Sequence, residues 1–271
     1  MARTRERWLR RSSIVGVAAL LAACGSTYTA EEIIHVQAPR ASPAALRPPL
    51  VDAQGHALPG SSLTVLAPLG VSLRDADSVA GATSIGTLVQ GTVVTVVAVS
   101  GRNGGWYQVR TDDAQTGWIV DDPQYSSPAR LTLYQSDEHG FTALYPQQWT
   151  FVERPAGVGF GPPDVGVPPL TVAVGSNVPA LGPPGQPGYV VVSTQTVEVY
   201  GITTMRRLCD RTGGAAPTAG AGQPAQSGHL AEILVSVSRS RAMRLDYAYS
   251  SPADLRIFED FYDSIILPGA P

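Results

Sequence analysis

The sequence predicts a small all-β barrel followed by an α+β sandwich, both preceded by a signal peptide and a disordered tether. Three observations lead there. Between Leu63 and Val120, short alternating apolar segments are separated by glycine-bearing turns. After Leu131, apolar strands run into a closing stretch whose apolar residues recur at helical spacing. The 28 glycines and 23 prolines among 271 residues favour β-structure with long loops over a helical bundle.

The N-terminus sets the address. Arg3, Arg5, Arg7, Arg10 and Arg11 precede an apolar run from Ile14 to Ala23, which is too short to cross a bilayer as a helix. A charged region, a short apolar region and small residues before a cysteine are the marks of a secretion signal over 1–23. Leu21-Ala-Ala-Cys24 resembles a bacterial lipobox, which implies lipidation of Cys24 as the mature N-terminus. The five arginines and Glu6 give the signal a net +4, so a formal charge of −3 for the whole chain leaves −7 after cleavage. An acidic chain of this kind argues against nucleic acid or an anionic lipid surface as its partner. All 19 basic residues are arginine, which excludes lysine nucleophiles, Schiff bases and P-loop chemistry. Of the two cysteines, lipidation would consume Cys24 and leave Cys209 without a disulfide partner.

Residues 24–60 read as a lipidated N-terminus and flexible linker, polar and dotted with proline. The short apolar patch Ile33-Ile34-His35-Val36 is the exception and offers a strand to a neighbouring domain. From 61 to 122 the segments Leu63–Leu66, Val71–Arg74, Ile85–Leu88, Thr92–Val97, Trp106–Arg110 and Gly117–Val120 are spaced as strands of a small closed barrel. Val71-Ser-Leu-Arg74, Ile85-Gly-Thr-Leu88, Gly91-Thr-Val-Val-Thr-Val96, Gly105-Trp-Tyr-Gln-Val109 and Thr116-Gly-Trp-Ile119 follow one another as in the bacterial Src homology 3 domain, which this stretch resembles. The resemblance implies a ligand groove bordered by the loop from Asp75 to Ser84. There Asp75-Ala-Asp77 departs from the family's usual turn and places two carboxylates.

Residues 123–129 read as a linker, and 130–268 as the second module. Its strands are expected at Leu131–Tyr134, Phe141 onward, Leu170–Val174, Tyr189–Val192, Val197–Ile202, Leu230–Val237 and Met243–Tyr249. Pro/Gly-rich loops are expected at Pro155–Pro169, Pro179–Gly188 and Thr212–Gly228. The closing helix is the best-marked element. Ser251 is its N-cap, Pro252 suits the first turn, Asp254 completes a capping box, and Leu255, Phe258, Phe261, Tyr262 and Ile265 form its apolar stripe. Gly140-Phe-Thr-Ala-Leu-Tyr-Pro-Gln-Gln-Trp149, with Phe258-Glu-Asp-Phe-Tyr-Asp-Ser-Ile265, resembles the PsbP-like family, whose members are extrinsic, membrane-associated accessory proteins.

Motifs for chemistry are sparse. His35, His56, His139 and His229 are scattered, and no two stand at metal-ligand spacing. Asp137-Glu138-His139 reads as a solvated turn more readily than a ligand set, and Asp112-Asp113 and Asp121-Asp122 do not fit a calcium loop. No nucleophile elbow, phosphate loop or dinucleotide fingerprint occurs. Arg206, Arg207 and Arg211 flank Cys209 and would lower its pKa if they faced it. Strand alternation turns Trp106 away from Val109, so the ring either lines a groove or packs under a loop. Trp106, Tyr107, Asp75 and Asp77 are therefore the candidate ligand-binding residues, and Trp118 and Trp149 are expected in the core.

The expectation for function is a lipoprotein on the outer face of the cell membrane, or of the outer membrane where a cell has one. It would be a non-catalytic binding or scaffold protein without a cofactor. The barrel would hold a peptidoglycan peptide or an envelope protein, by resemblance to its family. The alternative is an envelope enzyme whose site is assembled in the C-terminal module.

Overall fold

The structure, a computed structural model, describes residues 35–37, 50–101, 105–176, 178, 189–212 and 228–268. Cys24 and the signal lie outside these residues, as do 179–188 and 213–227, where two of the long loops were expected.

A short strand β1 (His35–Gln37) comes first, and then the strands of the first module: β2 (Ser62–Val65), β3 (Val71–Arg74), β4 (Ser84–Leu88), β5 (Val93–Ser100), β6 (Trp106–Arg110), β7 (Thr116–Val120) and β8 (Ser126–Ser127). They form one antiparallel sheet in the order β4-β3-β7-β6-β5-β2-β8. The barrel expected from the sequence is therefore not closed, because β4 and β8 remain the two ends of the sheet. Leu63, Val65, Val71, Leu73, Leu88, Val94, Val96, Tyr107, Val109 and Ile119 turn inward and make the core. Alternation along each strand supplies these residues. Two parts taken for linker belong to this module. Residues 50–60 pack on it, with Ala57 buried and its N–H donated to the Tyr107 hydroxyl at 3.0 Å. Ser126 and Ser127 pair with Val65 and Thr64 as β8. Backbone pairing holds these polar residues, and hydropathy patterns do not register it.

The second module contains β9 (Leu131–Ser136), β10 (Phe141–Pro146), β11 (Thr150–Arg154), β12 (Gly157–Gly161), β13 (Leu170–Gly175), β14 (Tyr189–Val199), β15 (Ile202–Arg211), β16 (His229–Ser238), β17 (Arg241–Tyr249) and the helix α1 (Pro252–Asp263). An eight-stranded antiparallel sheet runs β1-β11-β12-β13-β17-β16-β15-β14. His35–Gln37 thus serves as an edge strand paired with Phe151–Glu153, not as part of a free tether. The β9–β10 hairpin and α1 cover one face of this sheet, joined by the bridge Thr142↔Ile266.

β12 was hidden in an expected loop because three of its five residues are glycine. The glycines are there for space. A Cβ on Gly159 would stand 2.7 Å from Pro168, and one on Gly161 only 2.5 Å from Pro169. The proline loop folds back over the glycine face, and the opposite face places Val158 and Phe160 in the core.

α1 begins as its sequence requires. The Asp254 N–H donates to Ser251 Oγ at 3.3 Å, and the Ser251 N–H donates to Asp254 Oδ2 at 2.9 Å. Its buried stripe meets an aromatic layer. Phe258 stacks on Tyr247 with centroids 5.6 Å apart, and Phe261 meets Phe160 edge-on at 5.1 Å. Trp149 is buried, as expected. Trp118 is only half-buried, because Gly117 and Ile119 take the inward positions of β7.

The two modules share contacts that no free linker would allow. Ser127 Oγ donates to Asp260 Oδ2 at 2.5 Å, and Arg256 Nη2 donates to the Pro123 carbonyl at 2.6 Å. Gln90 Nε2 donates to the carbonyls of Leu66 at 2.9 Å and Ser264 at 2.6 Å. The described residues accordingly make one compact unit.

Because Phe258 is fully buried between Tyr247 and Tyr262, Phe258→Ala leaves a ring-sized cavity and costs about 3–5 kcal/mol. Urea unfolding followed by circular dichroism measures it.

Candidate functional site

β14 and β15 meet in a two-residue turn, with Val199 paired to Ile202. Tyr200 and Gly201 hold φ of +49° and +75°, a primed hairpin turn. Tyrosine at a left-handed position costs about 1–2 kcal/mol, and the usual Asn-Gly signal is missing. The strand expected over Val197–Ile202 is therefore broken by this turn, and β15 beyond Ile202 was not legible in the sequence.

The tip of this hairpin forms part of a cleft of about 920 Å³. The first module supplies Ala67–Ser72, Arg74, Val79, Trp106, Val120, Gln124 and Tyr125. The second supplies Glu198, Tyr200, Gly201 and Asp263. Trp106 belongs to the outer face of its sheet, as alternation requires, since Tyr107 and Val109 point into the core. It is nevertheless only 2% exposed, because the cleft walls close over that face. The ring is packed, and it lines the cleft from beneath. Exposed apolar groups stand at the cleft, with Leu69 90%, Val79 69% and Tyr125 42% exposed.

The other three candidate residues are elsewhere. Asp75 Oδ1 accepts the Thr83 N–H at 2.8 Å, closing the β3–β4 loop. Asp77 Oδ2 accepts from Ser100 Oγ at 2.6 Å. Neither carboxylate lines the cleft, because Asp75 is taken up by a backbone donor of its own loop and Asp77 by the Ser100 hydroxyl of β5. Tyr107 is a core residue, and burial followed by the Asp121 carboxylate pushes its hydroxyl pKa upward. Asp121 Oδ2 also lies 2.9 Å from His56 Nδ1.

Asp263 and Glu198 are the carboxylates in the cleft, and sequence reasoning singled out neither. Burial, followed by neighbouring Asp260, Glu259 and Asp122, pushes Asp263 up to about 8, with Arg256 opposing. Asp260, buried against Ser127, is held at about 6 by desolvation despite Arg256. Arg256 Nη2 lies 2.7 Å from Asp260 Oδ1, close enough for an ion pair but off the hydrogen-bond line.

Cys209 is buried, with Sγ 3.6 Å from Glu232 Oε2. Burial and then Glu232 raise the thiol to about 11. Arg206 does not help it, because residues three apart on a strand face opposite ways, and Arg207, two residues away, lowers the thiol by less than burial and Glu232 raise it. Its guanidinium reaches Glu259 at 2.7 Å and the Tyr262 hydroxyl at 3.3 Å. Glu232 is neutralised by Arg244 at 2.9 Å, which also holds Asp246 at 2.9 Å. A thiol kept neutral in this way is a packing residue. His139 is buried at the β9–β10 turn rather than solvated. Among the described residues no group of three or more His, Cys, Asp or Glu is placed to hold a metal.

The family model described as "Bacterial SH3 domain" matches residues 70–124, which include Trp106 and most of the first module's cleft wall. No curated protein matches the chain. Among solved structures, the solution structure of cyanobacterial PsbP from Synechocystis is similar at 14% identity over 51% of this chain and 92% of its own. The TM-score is 0.34, too low to carry a conclusion.

An unfolded aspartate titrates at about 3.9, whereas folded Asp263 keeps its proton up to about 8. The fold gains from that proton below the lower value and loses the gain as pH rises through the upper one. Asp263→Asn should therefore melt like the parent at pH 4 and above it by a margin that grows towards pH 8. Thermal melts at the two pH values test this.

Proposed function

We propose that this chain is an exported lipoprotein, anchored through Cys24 to the outer face of a membrane, with a non-catalytic binding role. Its ligand is a cell-wall or protein segment seated in the cleft beside Trp106. The observation that supports this most is the position of Trp106. It lies under a cleft with apolar and aromatic walls, within the stretch similar to bacterial SH3 domains. Such clefts, with a few convergent polar groups, are the usual form of ligand sites. The rival reading of an enzyme site built in the C-terminal module has less behind it, because most of the cleft wall comes from the first module. The PsbP-like reading of 130–268 rests on Gly140–Trp149 and Phe258–Ile265, and on it this module is a docking surface that also walls the cleft.

Cys24→Ala should abolish incorporation of a fatty-acid analogue, and undiminished labelling of that variant would refute the anchor. Capture from envelope extracts by the full chain tests the cleft. Trp106 is too buried for a clean binding variant, so the informative change is Tyr125→Ala at the half-open wall. Removing an aromatic anchor of this kind should weaken capture by about 2 kcal/mol, roughly thirtyfold, with the melting temperature unchanged. Equal capture by both proteins would move the site elsewhere.

A further inference from the structure

The cleft carries two carboxylates, Asp263 and Glu198, and one guanidinium, Arg74, among largely apolar and aromatic walls. Asp263 is the last residue of α1, whose final turn has no basic residue. The negative end of the helix dipole therefore adds to the carboxylate instead of being offset. Glu198 lines the same cleft from the end of β14. Among the described residues neither carboxylate makes an ion pair. The nearest cation to Asp263 on its own helix, Arg256, is committed to the Pro123 carbonyl, to Asp260 and, at 3.7 Å, to Glu259. Arg74, the basic residue in the cleft wall, directs Nη1 to the Ala82 carbonyl at 3.3 Å. Two carboxylates and a helix C-terminus thus face a cleft whose other walls include Tyr125 and Tyr200. Aromatic faces attract cations, most strongly where water is partly excluded.

On the reading of the cleft as a ligand site, we propose that its occupant is a peptide segment presenting an arginine or lysine beside an apolar side chain. Asp263 and Glu198 are the counter-charges, and Tyr125 and Tyr200 the aromatic walls. Leu69 and Val79 meet the apolar neighbour. The cation pairs with ionised Asp263, so below about pH 8 binding expels the proton that burial and the acids Asp122, Glu259 and Asp260 keep there against Arg256. Affinity then rises with pH through that value.

The probe is acetyl-leucyl-arginine amide, with the citrulline analogue as a neutral isostere, titrated into the full chain in detergent. Calorimetry reads the affinity, and the Trp106 indole resonance reports the site. The arginine peptide should bind about tenfold more tightly than its citrulline analogue, and more weakly at high salt. Its affinity should climb between pH 6 and pH 9. Asp263→Asn should remove both the pH dependence and most of the preference. Tyr200→Gly relieves the φ of +49° but also removes packing against the core, so binding is read well below its melting temperature, where it should be weakened. Equal binding of the two peptides at the Trp106 site would overturn the cation preference and leave the cleft as a ligand site. If neither peptide moves the Trp106 resonance, the proposed occupant is wrong. Should Tyr125→Ala also capture envelope material normally, the cleft itself fails as the site. Retention of the arginine preference in Asp263→Asn would equally overturn the assignment of its counter-charge.

Discussion

The structure depends on α1 being used on more than one face. Phe258 and Phe261 enter the aromatic layer over the large sheet, against Tyr247 and Phe160. From the same helix, Asp260 takes the Ser127 hydroxyl and Arg256 takes the Pro123 carbonyl, both from the segment that leaves the first module. Ser264, just past the helix, accepts from Gln90 through its carbonyl and from the Leu144 N–H through its hydroxyl. One element thus closes the second module and fixes the first against it. A buried aspartate is costly to retain, and Asp260 is tolerated because a hydroxyl donor and a guanidinium face it.

That junction explains the cleft. A β-sheet of the first module's size turns one face inward and leaves the other wet, and Trp106 stands on the wet side by alternation. The fixed placement of the end of β14, the turn after it and the end of α1 puts a second wall over that side. Trp106 is consequently buried without belonging to either hydrophobic core. The cleft is thus a property of the two modules together, and its carboxylates come from the one that supplies the smaller share of the wall.

Charge is handled differently elsewhere. On the sheet face away from α1, Glu232 and Asp246 share Arg244, and the thiol of Cys209 lies against the remaining Glu232 oxygen. On the α1 side Arg206 bridges the sheet to Glu259 and the Tyr262 hydroxyl. These acids have guanidinium partners inside the fold, whereas Asp263 and Glu198 face the cleft without an ion pair among the described residues. An all-arginine basic complement suits the internal pairs, since a planar fork can serve two carboxylates at once.

By itself the sequence determined what depends on local pattern. The strands from Leu63 to Val120, the capping box of Ser251 and Asp254, and the stripe through Phe258 and Phe261 are set by spacing along a single element. The face on which Trp106 stands follows from alternation alone. Tertiary structure decided what depends on partners remote in the chain. β12 is a strand because Pro168 and Pro169 fill the space its glycines leave, and β15 follows a turn whose tyrosine breaks the usual signal. Asp75 and Asp77 looked like a binding pair, yet nearby donors occupy them, while Asp263, with no role assigned from the sequence, lines the cleft. Whether a carboxylate is neutralised locally or left facing a cleft is set by groups up to 133 residues apart, as for Ser127 and Asp260, and no periodicity encodes that distance.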